Sequence, residues 1–438
     1  MTSNPATPPD APINADAERT SRWCLALAAG VLLAWFGWFA SVRTGGLCDE
    51  MGHIGSVYHF QEHKPGWPAE MPMLPGYHFL LLSFTGWHPD QFKMRLVTCG
   101  LSLLGLVTFA GAWRRFHGAP PGPATLLFAL LPILQPYTAM VYTDAPALAA
   151  VFGLWWAHLA GQRTLAALLL VIACLLRQTN LLWGAFVLAW EAVHTLWPPP
   201  GGRKPGDWRA ALQRAWQHGG GLLFVLAAAA AIVTYTGRLT LSDQHGNQAH
   251  PNIATLHFAG VLCTLLGLPL WPRAARTAGH WWRERWQRQR GLTLAAGAAA
   301  VLTTVLLART FANSHIWNRE LFWPDATFTL LRNWPLVWID THPWLRWASA
   351  ANLVLLGLAT PALLAGQPHR RELVLALVFG VVPLALNFLV EPRYFIPLCA
   401  FGLFFARLDR RAYRTLALWF GLLCLIHAPF IARGLSLW

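Results

Sequence analysis

The chain is built from apolar runs that recur from Trp23 to the C-terminus, separated by loops of alternating charge character. Basic loops lie at Arg114-Arg115, Arg203 to Arg214, Arg273 to Arg290, Arg370-Arg371 and Arg407 to Arg414. The intervening loops carry Asp49-Glu50, Asp144, Arg177-Gln178, Asp243, Asp325, Asp340 and Glu391-Pro392-Arg393-Tyr394. Runs long enough to cross a bilayer at 1.5 Å per helical residue leave few folds open. The expected fold class is all-α, a polytopic integral membrane protein of about 12 to 13 transmembrane helices. The expected spans are 22–42, 93–113, 122–138, 145–161, 164–179, 181–197, 220–236, 253–271, 291–310, 346–365, 373–390, 394–407 and 415–432. By the positive-inside rule the basic loops face the cytoplasm, and the acidic motifs then share the outer face.

That alternation explains the formal charge of +14, in a chain that is 55% hydrophobic and only 12% charged. The excess follows topology, so no nucleic-acid partner is expected. Trp23, Trp113, Trp197, Trp271 and Trp438 fall near span ends, where indoles anchor at the interface. Residues 1–21 are polar and rich in Pro and Ala, which predicts a disordered cytoplasmic tail. Residues 22–438 then form a single transmembrane domain, with large outer loops at 43–92 and 311–345. Within the first of these, Met73–Phe84 is apolar but too short to span, and is expected to lie in the interface. Of seven cysteines only Cys48 falls in a clear loop, and no C-x-x-C pair exists.

Several short motifs carry candidate chemistry. Asp49 and Glu50 stand among glycines just past the first span, with His53 one helical turn on. A carboxylate there suits a general base acting on a hydroxyl, and a solvated polar loop is the structural alternative. Arg177-Gln178-Thr179-Asn180 interrupts the apolar run from Leu165 to Trp190. A buried arginine is costly in a membrane and pairs either with a phosphate or with an internal acid such as Asp144 or Glu391. Arg393 is a second candidate phosphate ligand, with Glu391 to hold it, although Glu391-Pro392 also suits a proline-broken turn. Asp144 precedes Pro146 and suits a helix start. Asp243, His245, His250 and His257 match no familiar metal-ligand spacing, so no metal site is assigned. No P-loop, G-x-S-x-G or H-E-x-x-H motif is present.

In order along the chain, Cys48-Asp49-Glu50-Met51-Gly52-His53, Met73-Leu74-Pro75-Gly76-Tyr77, Tyr142-Thr143-Asp144, Leu176-Arg177-Gln178-Thr179-Asn180 with Trp183, Leu256-His257-Phe258 and Glu391-Pro392-Arg393-Tyr394-Phe395 resemble the dolichyl-phosphate-glucose-dependent alpha-1,2-glucosyltransferase family. The resemblance covers about 47–407. It departs at Trp323-Pro324-Asp325-Ala326-Thr327-Phe328, where only Asp325 matches the family's late loop, and around Asp243 to His250, which carries an insertion. It implies a GT-C-type glycosyltransferase fold. It also implies an inverting transfer of a hexose, glucose first, from a polyprenyl-phosphate-sugar donor to a hydroxyl of a glycan or glycolipid acceptor.

In that reading Asp49 is the base, with Glu50 and His53 shaping its pKa or the acceptor site. Arg177, Gln178, Asn180, Glu391, Arg393 and Tyr394 serve the donor, and Asp144, Asp243, His250 and Asp325 are secondary candidates. No cofactor is implied, and divalent metal is left open. The expected location is a bacterial inner membrane with a periplasmic site, or the ER membrane in a eukaryote. The alternatives are transfer of another lipid-linked sugar, mannose or aminoarabinose, onto lipid A or protein, and a lipid-linked-sugar transporter. Related halves and midplane polar groups would mark a transporter, and neither is evident.

Overall fold

The computed structural model describes residues 15–47, 49–65, 68, 73–196, 208–236, 252–313, 333–385 and 389–434. Every regular element among the described residues is helical. The chain divides into two compact units, Met1–Asn247 and Gln248–Trp438.

The first unit contains α1 (Ala15–Val42), α2 (Asp49–Gln61), α3 (Gly76–Phe84), α4 (Gln91–His117), α5 (Pro123–Ala129), α6 (Asp144–Leu159), α7 (Arg163–Leu176), α8 (Leu181–Leu196) and α9 (Trp208–Thr236). α1 begins at Ala15, so the expected disorder does not extend over 15–21. Two contacts order that turn: Glu18 accepts from Arg114 Nη2 at 2.7 Å, and Ser21 Oγ accepts from the Gly122 amide at 3.1 Å. α4 has clear stops at both ends. The Asp90 carboxylate caps it by accepting from the Lys93 amide at 2.8 Å, and Gly118 closes it at φ 61°. The backbones of α4 and α6 come close at Gly105, where a Cβ would sit 3.4 Å from Ala149 Cβ. Small residues permit such approach where lipid supplies no hydrophobic drive. Thr108 Oγ1 donates across the same seam to Ala149 O at 3.1 Å. Below it Phe109 stacks on Phe128 at 4.5 Å and meets Phe152 edge-on at 5.0 Å.

One expected span is corrected. Residues 122–138 are not a continuous helix. α5 stops at Ala129, turns follow, and Gln135–Thr138 is a short 3-10 helix. Pro132 and Pro136 each remove an amide donor and disrupt the helical ladder. The segment 131–143 is buried throughout, the condition under which irregular backbone survives at membrane depth.

The second unit contains α10 (Ala254–Gly267), α11 (Trp271–Arg288), α12 (Arg290–Thr310), α13 (Trp334–Thr341), α14 (Pro343–Ala365), α15 (Arg370–Ala385), α16 (Ile396–Phe405) and α17 (Arg410–Arg433). α14 packs against α10, α11 and α12. α10 and α14 are joined by Thr264 Oγ1 donating to Asn352 Oδ1 at 2.9 Å and by Leu353 filling the space at Gly260.

Among the described residues six helical stretches have the length and apolarity to cross a membrane: Ala15–Val42, Gln91–His117, Ala254–Arg288, Arg290–Thr310, Pro343–Ala365 and Arg410–Arg433. Arg163–Leu176, Gly219–Tyr235 and Pro392–Phe405 are shorter apolar helices. Each of the other expected spans also contains helix, but breaks at Arg177 and at the prolines shorten several of them. The protein is thus an all-helical integral membrane protein.

Candidate functional site

Glu50 and Arg95 organise one end of the first unit. Arg95 Nε donates to Glu50 Oε1 and Nη2 to Oε2, each at 2.8 Å. Glu50 also accepts from the Leu47 amide at 3.0 Å and the Val141 amide at 2.9 Å. Arg95 Nη2 reaches Gly45 O at 3.0 Å, and its guanidinium lies 4.6 Å from the centre of the Phe39 ring. Both side chains are almost wholly buried, at 3% and 0% exposure. This junction ties the ends of α1 and α4 to the start of α2 and to the irregular segment before α6. Glu50 is thus a buried anchor for the first turn of α2, its oxygens taken up by Arg95 and two backbone amides. Asp49, the neighbouring residue, opens α2 and remains half-buried.

His53 is one turn further along α2. Its Nδ1 lies 3.1 Å from His78 Nε2 on α3, and the two rings stack at 5.3 Å. Tyr142 meets His53 edge-on at 5.3 Å. Next to His78, the Tyr77 hydroxyl shares a 2.7 Å hydrogen bond with Thr98 Oγ1. Burial and the neighbouring His53 push the His78 imidazole well below its ordinary value, so it is neutral at physiological pH. Burial, with Glu50 and Asp144 nearby, pushes the Tyr77 phenol up.

α3 is held against the end of α7. A Cβ on Gly76 would lie 2.7 Å from Leu175 Cβ and 2.8 Å from Leu175 O, a space only glycine leaves. Arg177 follows at once. It has extended backbone, φ −159° and ψ 112°, and separates α7 from the 3-10 turn Gln178–Asn180. Arg177 Nη1 pairs with Asp144 Oδ1 at the start of α6. This is the internal partner anticipated for an arginine in an apolar run. Asn180 is buried, and its Nδ2 donates to Ala173 O at 3.0 Å. Ala173 O also accepts from the Arg177 amide at 2.9 Å, so the Asn180 side chain adds a second bond to the carbonyl that closes α7. Gln178 is half-buried in the same turn.

In the second unit Glu391 pairs with Arg393 as expected, and the Arg393 guanidinium lies 5.3 Å from the Tyr394 ring centre. Pro392 and the extended backbone of Glu391 set up the short 3-10 helix that presents them. His257 Nδ1 and Ser349 Oγ are 2.9 Å apart within the same unit. Asp243, His250 and Asp325 lie outside the described residues. Among the described residues no three His, Cys, Asp or Glu side chains converge as a metal's ligands would.

Motif reading missed Arg95 and His78, and gave no role to Tyr77, which closes the motif Met73-Leu74-Pro75-Gly76-Tyr77. Arg95 lies inside the expected span 93–113, two residues from Lys93, and has no role in the motif reading. An arginine two residues inside an apolar run was the available signal.

The cluster Asp49, Glu50, His53, Tyr77, His78, Arg95, Asp144 and Arg177 falls entirely within residues 49–198, and that stretch matches the DIE2/ALG10 family. The chain resembles the DIE2/ALG10 family. A relative from Yarrowia lipolytica (strain CLIB 122 / E 150), a "Dol-P-Glc:Glc(2)Man(9)GlcNAc(2)-PP-Dol alpha-1,2-glucosyltransferase", is 23% identical over 251 residues. That alignment takes in 51% of this chain and 48% of the relative, so the match spans about half the length of each. Among solved structures, ArnT from Cupriavidus metallidurans in the apo state aligns over 93% of this chain and 77% of its own, at 14% identity and a TM-score of 0.40.

Proposed function

We propose that this protein is a membrane glycosyltransferase of the GT-C type that moves a hexose, glucose first, from a polyprenyl-phosphate-sugar to a hydroxyl of a glycan or glycolipid acceptor. The observation that carries the reading is that the DIE2/ALG10 match encloses the whole polar cluster of the first unit. A lipid-linked donor suits a chain whose polar cluster is built among apolar helices, and the alternation of basic and acidic loops favours an outer-face site.

In the proposed step an acceptor hydroxyl attacks the anomeric carbon, and Asp49 takes its proton. The bond from that carbon to the phosphate oxygen breaks, and polyprenyl phosphate leaves with the electron pair, inverting the anomeric centre. Glu50 and Arg95 hold Asp49 in place by fixing the first turn of α2. On binding, the donor phosphate competes with Asp144 for Arg177, whose guanidinium then offsets the charge growing on the leaving group. Glu391, Arg393 and Tyr394 are proposed to serve the donor as a second arginine site.

The test is transfer by the purified full-length protein in liposomes, offered polyprenyl-phosphate-glucose or UDP-glucose together with a panel of glycan and glycolipid acceptors. Turnover of the lipid donor alone, reduced about 10²- to 10⁴-fold by Asp49→Asn at unchanged thermal stability, is expected. Use of UDP-glucose overturns the lipid-donor reading. Near-normal turnover in Asp49→Asn removes the base assignment.

A further inference from the structure

Helix α11 belongs to neither polar cluster, yet it is the most strongly charged element of the second unit. It carries Arg273, Arg276, Arg283, Arg285 and Arg288 against a single acid, Glu284, together with Trp281, Trp282 and Trp286. One face is docked: Ala278 packs with Ala359 and Ala362 of α14, and Trp282 Nε1 donates to Leu358 O at 2.9 Å. On the opposite face, the helical repeat places Arg273, Arg276, His280 and Arg283 in one stripe about 80° wide. All four are exposed.

The contacts also bring the helix close to the ends of its neighbours. Near its start, Arg273 pairs with Asp409, the residue that caps the first turn of α17. Its middle meets α14 at 358–362, within about two turns of that helix's end at Ala365. Pro269 and Pro272 break the path from α10. From Arg273 to Trp282 α11 therefore lies beside the ends of two helices that border basic loops, the placement suited to a helix along a membrane edge. Its indoles mark the same level, since tryptophan concentrates at headgroup depth. Trp286 is 43% exposed, and Arg285 covers Trp281 at 4.8 Å.

We propose that α11 is an in-plane helix whose arginine stripe binds the headgroups of anionic phospholipids. Guanidinium forks match phosphate oxygens, and a lipid with net negative charge leaves that attraction uncancelled by an ammonium group. Near an anionic surface each such cation is worth about fivefold in binding. Arg276 and Arg283, one on each side of His280, carry the stripe away from the Asp409 pair.

The experiment uses the full chain in nanodiscs of phosphatidylcholine with a minority of phosphatidylglycerol, followed by native mass spectrometry of retained lipid. Wild type is expected to retain phosphatidylglycerol above its bulk fraction, and R276Q/R283Q to lose that enrichment by about tenfold or more. Enrichment in wild type should also fall steeply between low and molar salt, an arm that decides the matter if the double variant does not purify folded. Equal enrichment in wild type and variant overturns the proposal, as does enrichment indifferent to salt. A wild-type dimer that the variant abolishes, without any preference for phosphatidylglycerol, overturns it and assigns the stripe to a second copy of the chain.

Discussion

Arg95 and Glu50 meet through two parallel N–H···O bonds of 2.8 Å in a place buried from solvent, and four further backbone groups converge on the pair. A buried pair of this kind is worth little beyond a well-packed apolar substitute, but it is costly to halve. Arg95→Ala leaves a carboxylate buried without its cation and is expected to destabilise the first unit by about 3–5 kcal/mol. Thermal unfolding in detergent checks this. Arg95→Lys should recover only part of the loss, because an ammonium cannot bond both oxygens in the plane. An Arg95→Ala transition matching wild type would end the anchor reading.

The Asp144–Arg177 pair should behave differently, because Arg177 is proposed to exchange partners. Arg177→Ala is expected to raise the KM for the lipid donor about tenfold or more, the scale of a lost hydrogen bond to a charged group, with the acceptor KM little changed. Asp144→Asn frees the guanidinium and should tighten donor binding or leave it equal. Initial-rate kinetics with each substrate varied in turn separates the two outcomes. A donor KM unmoved by Arg177→Ala would make the pair purely structural.

Gly76 offers a probe that changes no charge. A methyl group there meets the backbone of Leu175 at 2.8 Å, so α3 must move away from the end of α7. Gly76→Ala is expected to cost about 1–3 kcal/mol by overpacking. It should also lower turnover, because Arg177 stands two residues beyond the contact. Stability and turnover measured on one preparation check the linkage. Unchanged values would mean that α3 tolerates the shift.

His78 predicts a pH effect whose sign follows from burial. Its folded pKa is depressed below the ordinary imidazole value of about 6.5, while the unfolded chain retains that value. Above about 6.5 the imidazole is neutral in both states and contributes no slope. Below it the unfolded state binds the proton first, so stability falls as pH drops. Melting temperatures between pH 7.5 and 5 should decline more in wild type than in His78→Gln. Parallel declines would place the acid sensitivity elsewhere.

Much of the fold was legible because membrane insertion writes itself into composition. The apolar runs, their basic flanks and the acidic loop motifs depend on local residue type, and each expected span contains helix. The interrupted 122–138 run was misread because its hydropathy is that of a span, while Pro132 and Pro136 act through lost amides that hydropathy does not register. The start of α1 was missed for the opposite reason. Ala15–Ser21 looks polar and unstructured, and it is ordered by Arg114 and Gly122, about a hundred residues away.

The candidate site divides in the same way. The residue types at Asp49-Glu50, Arg177 and Glu391-Arg393 announced charged chemistry in an apolar setting, and the sequence alone determined that these groups need partners. It did not determine which partners. That Glu50 is bound to Arg95 while the adjacent Asp49 stays half-buried is a matter of which face of α2 turns inward. That Arg177 selects Asp144 depends on α6 and α7 meeting where the helix breaks. Local sequence sets the cost of burying a charge. Only the tertiary structure decides which opposite charge lies within reach to offset it, because that distance is set by packing between helices far apart in the chain.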